Sequence, residues 1–136
     1  MSGGRRVAVT GLGVVAPAGI GTINFWEGLI GPAAPVGQTI VFDHWDGSPY
    51  FDGPKQARRA DRVEQFALAA AGEAFDQAGG VDAVGADPGR FGTIFATGIG
   101  GLHTLEEQVG VHNEKGPRRV SPFLVPMMMA NAPGAS

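Results

Sequence analysis

The chain contains no cysteine. Disulfides, thiolate-bound metal and a cysteine nucleophile are therefore excluded from these residues. No apolar run approaches the ~20 residues of a membrane-spanning helix, so no membrane partner is expected. A cationic excess is missing too: 10 Lys and Arg stand against 13 Asp and Glu, a net charge of −3. That balance argues against a nucleic-acid partner. His44, His103 and His112 show no ligand spacing, and neither a metal nor a cofactor is expected. His103 can pair with Glu106 or Glu107 on one helix face, which is too few ligands for a metal site.

What is abundant is glycine and proline, 23 and 10 of 136 residues. They fall between apolar segments, where turns need them, and with 43% hydrophobic residues a folded α/β chain is expected. The length suits one domain, residues 1–136. The N-terminal "MSGGRRVAVTGLGVVAPAG" imitates a secretory signal, with a basic pair, an apolar run and Ala16-Pro17-Ala18. Its glycines and threonine make a poor hydrophobic helix and a better buried strand, so a cytoplasmic location is expected.

Arg5–Val15 reads as that strand. A turn follows, and Thr22 or Asn24 caps a short helix in "NFWEGLIG", with Glu27 in capping-box position after Asn24 and one face buried. Gly31 and Pro32 end it. Ala33–Gly53 reads as a surface loop with one short strand around Thr39–Phe42. Pro54 then opens a single long helix that runs to Gly79-Gly80, its alanines suited to close backbone packing. "RFGTIFATG" gives a strand over Phe91–Thr97, followed by a helix over Leu102–His112. Strands alternating with helices imply layers around a mostly parallel sheet.

"GLGVVAPAG" falls short of a dinucleotide fingerprint. It lacks a third glycine at the strand-to-helix turn, and Pro17 interrupts. "GIGG", residues 98–101, lacks the Lys-Ser/Thr of a phosphate loop and reads as a tight turn where another backbone passes. Lys55, Arg58, Arg59 and Arg62 crowd the start of the long helix, which costs about 0.3–1 kcal/mol per exposed cation. Arg118 and Arg119 form a second basic pair in a Gly-Pro loop. The plain reading is a solvated surface, and the alternative is a site for an anionic partner. Met127–Met129 fill an uneven apolar space or line an adaptable pocket.

In order along the chain, "RRVAVTGLGVVAPAGIG", "FWEGL", "KQARRADRVEQFALAAAGEAFDQAG", "RFGTIFATGIGG" and "GPRRVSPFLVPMMMANAPG" resemble the β-ketoacyl synthases. The likeness is to elongating condensing enzymes of fatty-acid and type II polyketide synthesis. It implies a thiolase-like layered α/β/α/β/α fold, of which this chain holds part of the N-terminal half. It also implies a homodimer, or a heterodimer with a homologous chain-length factor. The implied reaction is acyl transfer to a cysteine, then decarboxylative condensation with a malonyl thioester on an acidic acyl carrier protein. On that likeness the nucleophile and the catalytic histidines lie beyond Ser136, and the chain alone is inert in condensation.

The resemblance further implies that Lys55, Arg58, Arg59, Arg118 and Arg119 dock the carrier protein. Ile99 is implied at the gate of the acyl pocket, and Leu124, Val125 and Met129 at its lining, some of them reaching across the dimer. The region before the basic helix is shorter than in typical members. A non-catalytic chain-length-factor-like subunit and a nicotinamide-dependent oxidoreductase are the competing readings.

Overall fold

The computed structural model of the chain describes residues 6–32, 45–80, 82–84 and 87–135. Regular structure begins with a minimal hairpin, β1 (Val15–Ala16) and β2 (Gly19–Ile20), antiparallel with Val15 opposite Ile20 and Ala16 opposite Gly19. Helices follow: α1 (Thr22–Ile30), α2 (Pro54–Ala57), α3 (Arg62–Gln77), α4 (Leu102–Lys115) and α5 (Leu124–Met128).

The expected strands over Arg5–Val15 and Phe91–Thr97 are not realised as ladders. Within the described residues only Val15–Ala16 pairs, and Phe91–Thr97 pairs with nothing. Alternating apolar residues state a preference, but a strand exists only when its N–H and C=O groups meet a partner. No parallel pairing occurs among the described residues, and Val7, Val9 and Ile94 are 91%, 79% and 97% exposed. The expected strand at Thr39–Phe42 lies outside the described residues.

Residues 11–14 are instead held by a helix. A side chain on Gly11 would run into the Ala74 carbonyl, and one on Gly13 into that of Ala70, so the segment lies directly on the α3 backbone. This is the close approach that the alanine run predicts. Between these contacts Leu12 N–H donates to Gln77 Oε1 (3.0 Å) and Val14 N–H to Glu73 Oε2 (2.9 Å). Two residues of extended chain advance about 6.6 Å, and four residues of helix about 6 Å. The two repeats therefore coincide.

Glu73 also caps α1. Its Oε1 accepts from Thr22 N–H (2.6 Å) and Thr22 Oγ1 (2.9 Å), and Gln77 Nε2 donates to Thr22 Oγ1 (2.8 Å). The expected local cap at Asn24 is not formed. Asn24 Nδ2 donates back to the Ile20 carbonyl, and Gly21, with φ 82°, is the N-cap. Nor is one face of α1 buried: Trp26, Leu29 and Ile30 are exposed, and only Phe25 among its large residues is half-buried.

The long helix expected from Pro54 is two helices. Pro54 does sit at a first helical position, but α2 stops at Ala57 and α3 begins after Asp61. The break comes from a capping box. Asp61 Oδ1 accepts from Val63 N–H (3.0 Å), while Glu64 Oε1 accepts from Asp61 N–H (3.2 Å). The other oxygen of Asp61 reaches α4, accepting from Thr104 N–H (2.8 Å) and Thr104 Oγ1 (2.5 Å). Asp61 is only 3% exposed and so caps two helices at once. Gly79 and Gly80, at φ 92° and 89°, end α3 where the sequence places the stop. α4 runs to Lys115, slightly past its expected end.

The apolar side chains buried among the described residues are small: Ala57, Ala60, Ala67, Ala69 and Pro133. No described helix is long and apolar enough to cross a membrane.

Two outcomes follow from the caps. Asp61→Ala is expected to lower stability by about 2 kcal/mol. In a double-mutant cycle with Thr104→Val, urea denaturation should show coupling of about 1–2 kcal/mol, and additive losses would disprove the shared cap. The Glu73 carboxyl is pushed up by burial, but hydrogen bonds from Thr22 N–H, Val14 N–H and the Thr22 hydroxyl outweigh this and hold it below its ordinary 4.5. A lowered folded pKa stabilises above the ordinary value and loses that stabilisation as pH falls through the folded one. The stability gap between wild type and Glu73→Gln should therefore be full at about pH 6 and shrink towards about pH 3.

Candidate functional site

The break after α2 changes the meaning of the basic cluster. Lys55 lies in α2, Arg58 is its C-cap and Arg59 follows in the turn. Cations at a helix C-terminus are favoured by its dipole, so the expected cost of gathering them at a helix start does not arise for Arg58 and Arg59. Arg62 does open α3, but it faces inward. Its Nη1 donates to the Trp45 carbonyl (3.1 Å) and Gln65 Oε1 (3.0 Å), and its guanidinium sits 5.1 and 5.0 Å from the Trp45 and Phe66 rings.

The remaining cations divide by helical spacing. Lys55 and Arg59 face a shallow cleft of about 470 Å³ shared with Phe51, Asp52, Gln56 and Glu64. Arg58 faces another, of about 340 Å³, with Asp46, Gln65, His103 and Glu107, and the inward-turned Arg62 lines its wall. Lys55, Arg58 and Arg59 are all exposed. Exposed Asp46 is turned onto Ser48, whose backbone N–H and hydroxyl hold its carboxyl below the ordinary 3.8. Arg118 and Arg119, also exposed, occupy the helical turn Pro117–Arg119 that follows α4.

One contact joins the basic turn to the apolar C-terminal segment. The Arg59 guanidinium lies 4.1 Å over the Phe123 ring, and Phe123 is the N-cap of α5. At the other end of α5, Gly101 N–H donates to the Met128 carbonyl (3.2 Å). A side chain on Gly101 would meet the Met127 carbonyl and lie 3.0 Å from the Asp61 carboxylate. One on Gly100, at φ 87°, would meet the Met128 carbonyl. "GIGG" is thus a tight turn against a passing backbone, closed by Thr97 Oγ1, which accepts from Gly100 N–H (3.0 Å).

This contact brings Ile99 and Met129 to opposite sides of one junction, while Leu124 and Val125 stand at the other end of α5. Leu124 is half-buried, and Ile99, Val125 and Met129 are 62%, 60% and 45% exposed. All four thus keep apolar surface open to solvent around α5.

His103 is exposed beside Glu107, and exposed His112 lies 3.4 Å from Asn113 Oδ1. His44 lies outside the described residues, among which no metal-holding cluster occurs. Gly11 and Gly13 are committed to packing on α3, and a carboxylate already fills the anion position at the start of α1. A nicotinamide pyrophosphate would need both.

Asp61, Thr104, Glu73 and Phe123 are not among the residues singled out from the sequence. Asp61-x-x-Glu64 is a capping box and carries a usable signal. The Glu73 and Phe123 contacts join residues far apart in sequence and leave none.

Residues 30–135 match the β-ketoacyl synthase N-terminal domain family. A 3-oxoacyl-(acyl-carrier-protein) synthase 2 of Synechocystis is 38% identical over 93% of this chain and 33% of its own length. A putative polyketide β-ketoacyl synthase 1 of Streptomyces halstedii is 38% identical over 84% of this chain and 30% of its own. The chain thus spans about a third of the length of the curated relatives it matches. Among solved structures, a type II polyketide ketosynthase, in complex with its acyl-carrier protein and bound to a hexaketide, superposes with a TM-score of 0.73. That match has 21% identity and covers 93% of this chain and 37% of the other. The chain belongs to the β-ketoacyl synthase family and carries part of the N-terminal half of its thiolase-like fold.

Proposed function

We propose that these residues serve a decarboxylative condensation between an acyl thioester and a malonyl group on an acyl carrier protein. The chain supplies carrier-docking, acyl-pocket and dimer elements of an acyltransferase. The thiolate that accepts the acyl group and the histidines that assist it come from outside these 136 residues, which contain no cysteine. The reaction proceeds in the cytoplasm.

The observation that carries this reading is the exposed basic turn at Arg58 and Arg59, joined through Arg59 and Phe123 to the apolar face around α5. A condensing enzyme needs these two surfaces side by side, because the carrier delivers on a tethered arm a chain that must leave water. Lys55, Arg58 and Arg59 meet the acidic carrier, with Arg118 and Arg119 extending the patch. Guanidinium groups suit this work, since their fork matches carboxylates in pairs. Ile99 gates the pocket, and Leu124, Val125 and Met129 line it. Each pocket methylene discriminates by about 1–3 kcal/mol, so bulk at these positions sets acyl length. A second, homologous subunit covers the open face of α5 and completes the pocket.

Two exposed charges that steer an acidic partner act through a screened field. Arg58→Glu combined with Arg59→Glu is expected to weaken binding of a fluorescently labelled acyl carrier protein about tenfold, and more strongly at low salt. Unchanged anisotropy titrations would remove the docking role.

A further inference from the structure

The basic turn and α5 touch at both ends of that short helix, and the two contacts differ in kind. At the foot, the Met127 and Met128 carbonyls pack on Gly100 and Gly101, and Gly101 is backed by Asp61. The Asp61 carboxylate is buried and fully engaged by Val63 and Thr104. At the head, the hold from the turn is one cation–ring contact between two exposed residues, Arg59 and Phe123. Phe123 caps α5 without a side-chain hydrogen bond. Just upstream, Ser121 is tied to α4 through Gln108 Oε1 (2.7 Å). It accepts from Phe123 N–H on its hydroxyl (3.1 Å) and from Leu124 N–H on its carbonyl (3.1 Å), so Ser121 is the hinge about which the Phe123–Val125 side chains can shift.

An arginine stacked on a ring exchanges that contact readily for a carboxylate, which its fork grips with two charge-assisted hydrogen bonds. We propose that an acidic carrier docking on Arg59 draws its guanidinium off Phe123 and lets the head of α5 pivot at Ser121 while Asp61 keeps the foot fixed. Leu124 and Val125 then shift on docking, before any acyl chain arrives, and Met129 does not. Phe123 is the coupling residue, a positioning group rather than a catalytic one. This inference rests on the docking role given to the basic turn above.

The test uses the full chain labelled with ¹³C at leucine, valine and methionine methyls, titrated with an apo acyl carrier protein. That probe has no pantetheine arm, so nothing enters the pocket. In wild type, binding is expected to move the Leu124 and Val125 signals, with the Met129 signal moving less than about a third as far. Phe123→Leu should keep the carrier Kd within about twofold, since it removes no charge. Its Leu124 and Val125 signals should start near the docked position and stop responding.

Equal shifts in wild type and Phe123→Leu, or binding with no shift at Leu124 and Val125, overturns the coupling. If the carrier does not bind wild type, the docking reading fails instead. In that event Arg59→Gln on the free chain still decides the internal link. It must move Leu124 and Val125 in the direction that Phe123→Leu does, and no movement refutes it.

Discussion

A single buried carboxylate fixes the geometry on which the rest of the chain depends. Asp61 accepts hydrogen bonds from the first turns of α3 and α4, two helices that start far apart in sequence. Burying a charge costs several kcal/mol unless donors replace the lost water. Here three donors meet the carboxylate and two helix N-termini place positive potential on it. Among the described residues no buried side-chain polar atom lacks a partner. Moving Asp61 by one position would leave Thr104 unmet and the α3 cap empty. The reversal over residues 58–61, the tight turn at Gly100-Gly101 and the placement of α5 all follow from that one group.

Glu73 repeats the device on the other side of α3, taking N–H groups from the extended segment and from α1. Acidic residues are thus spent inside as caps, while Lys55, Arg58, Arg59, Arg118 and Arg119 remain exposed. Three of the thirteen acidic residues, Asp61, Glu64 and Glu73, are anchored at helix ends. Around the turn itself, exposed Asp46, Asp52 and Glu107 share the clefts of Arg58, Lys55 and Arg59, so a partner approaching there meets both signs of charge.

Helix positions were legible because each carries its own punctuation. Pro54 opens α2, and Gly79-Gly80 closes α3. The alanine spacing on α3 announces backbone contact, which Gly11 and Gly13 then make. The break at Arg58–Asp61 was also written in the residues, as Asp61-x-x-Glu64, but helical periodicity runs straight across it and masks it. The strands were misread for the opposite reason. Val7, Val9 and Ile94 have the right preference, yet a strand is a property of two hydrogen-bonded segments: Thr10-Gly11 and Phe91–Phe95 share a cleft over α3, but no ladder joins them among the described residues. The basic residues of the candidate site were legible as charges and illegible as a surface. Whether Arg58, Arg59 and Arg62 point together depends on the helix break, and with the break in place Arg62 turns inward onto Trp45 and Phe66.

The small alanine core and the exposed apolar residues belong to one economy of packing. Alanine lets the 11–14 segment lie on the α3 backbone itself, so that contact needs no large side chain to fill it. The bulky residues are left for other surfaces: Trp26, Leu29 and Ile30 on α1, Ile94 on the extended segment, Ile99, Val125 and Met129 around α5. Exposed apolar area of this extent marks surfaces built to be covered. Its distribution is not uniform. The α1 residues and Ile94 lie away from the basic turn and need only a packing partner. Those around α5 adjoin both a cationic patch and a glycine junction whose backbone cannot accept a side chain. α5 is fixed at its foot by backbone contact with Gly100 and Gly101, and at its head by Ser121, where the Arg59–Phe123 stack is the contact from the basic turn that an outside charge can compete for.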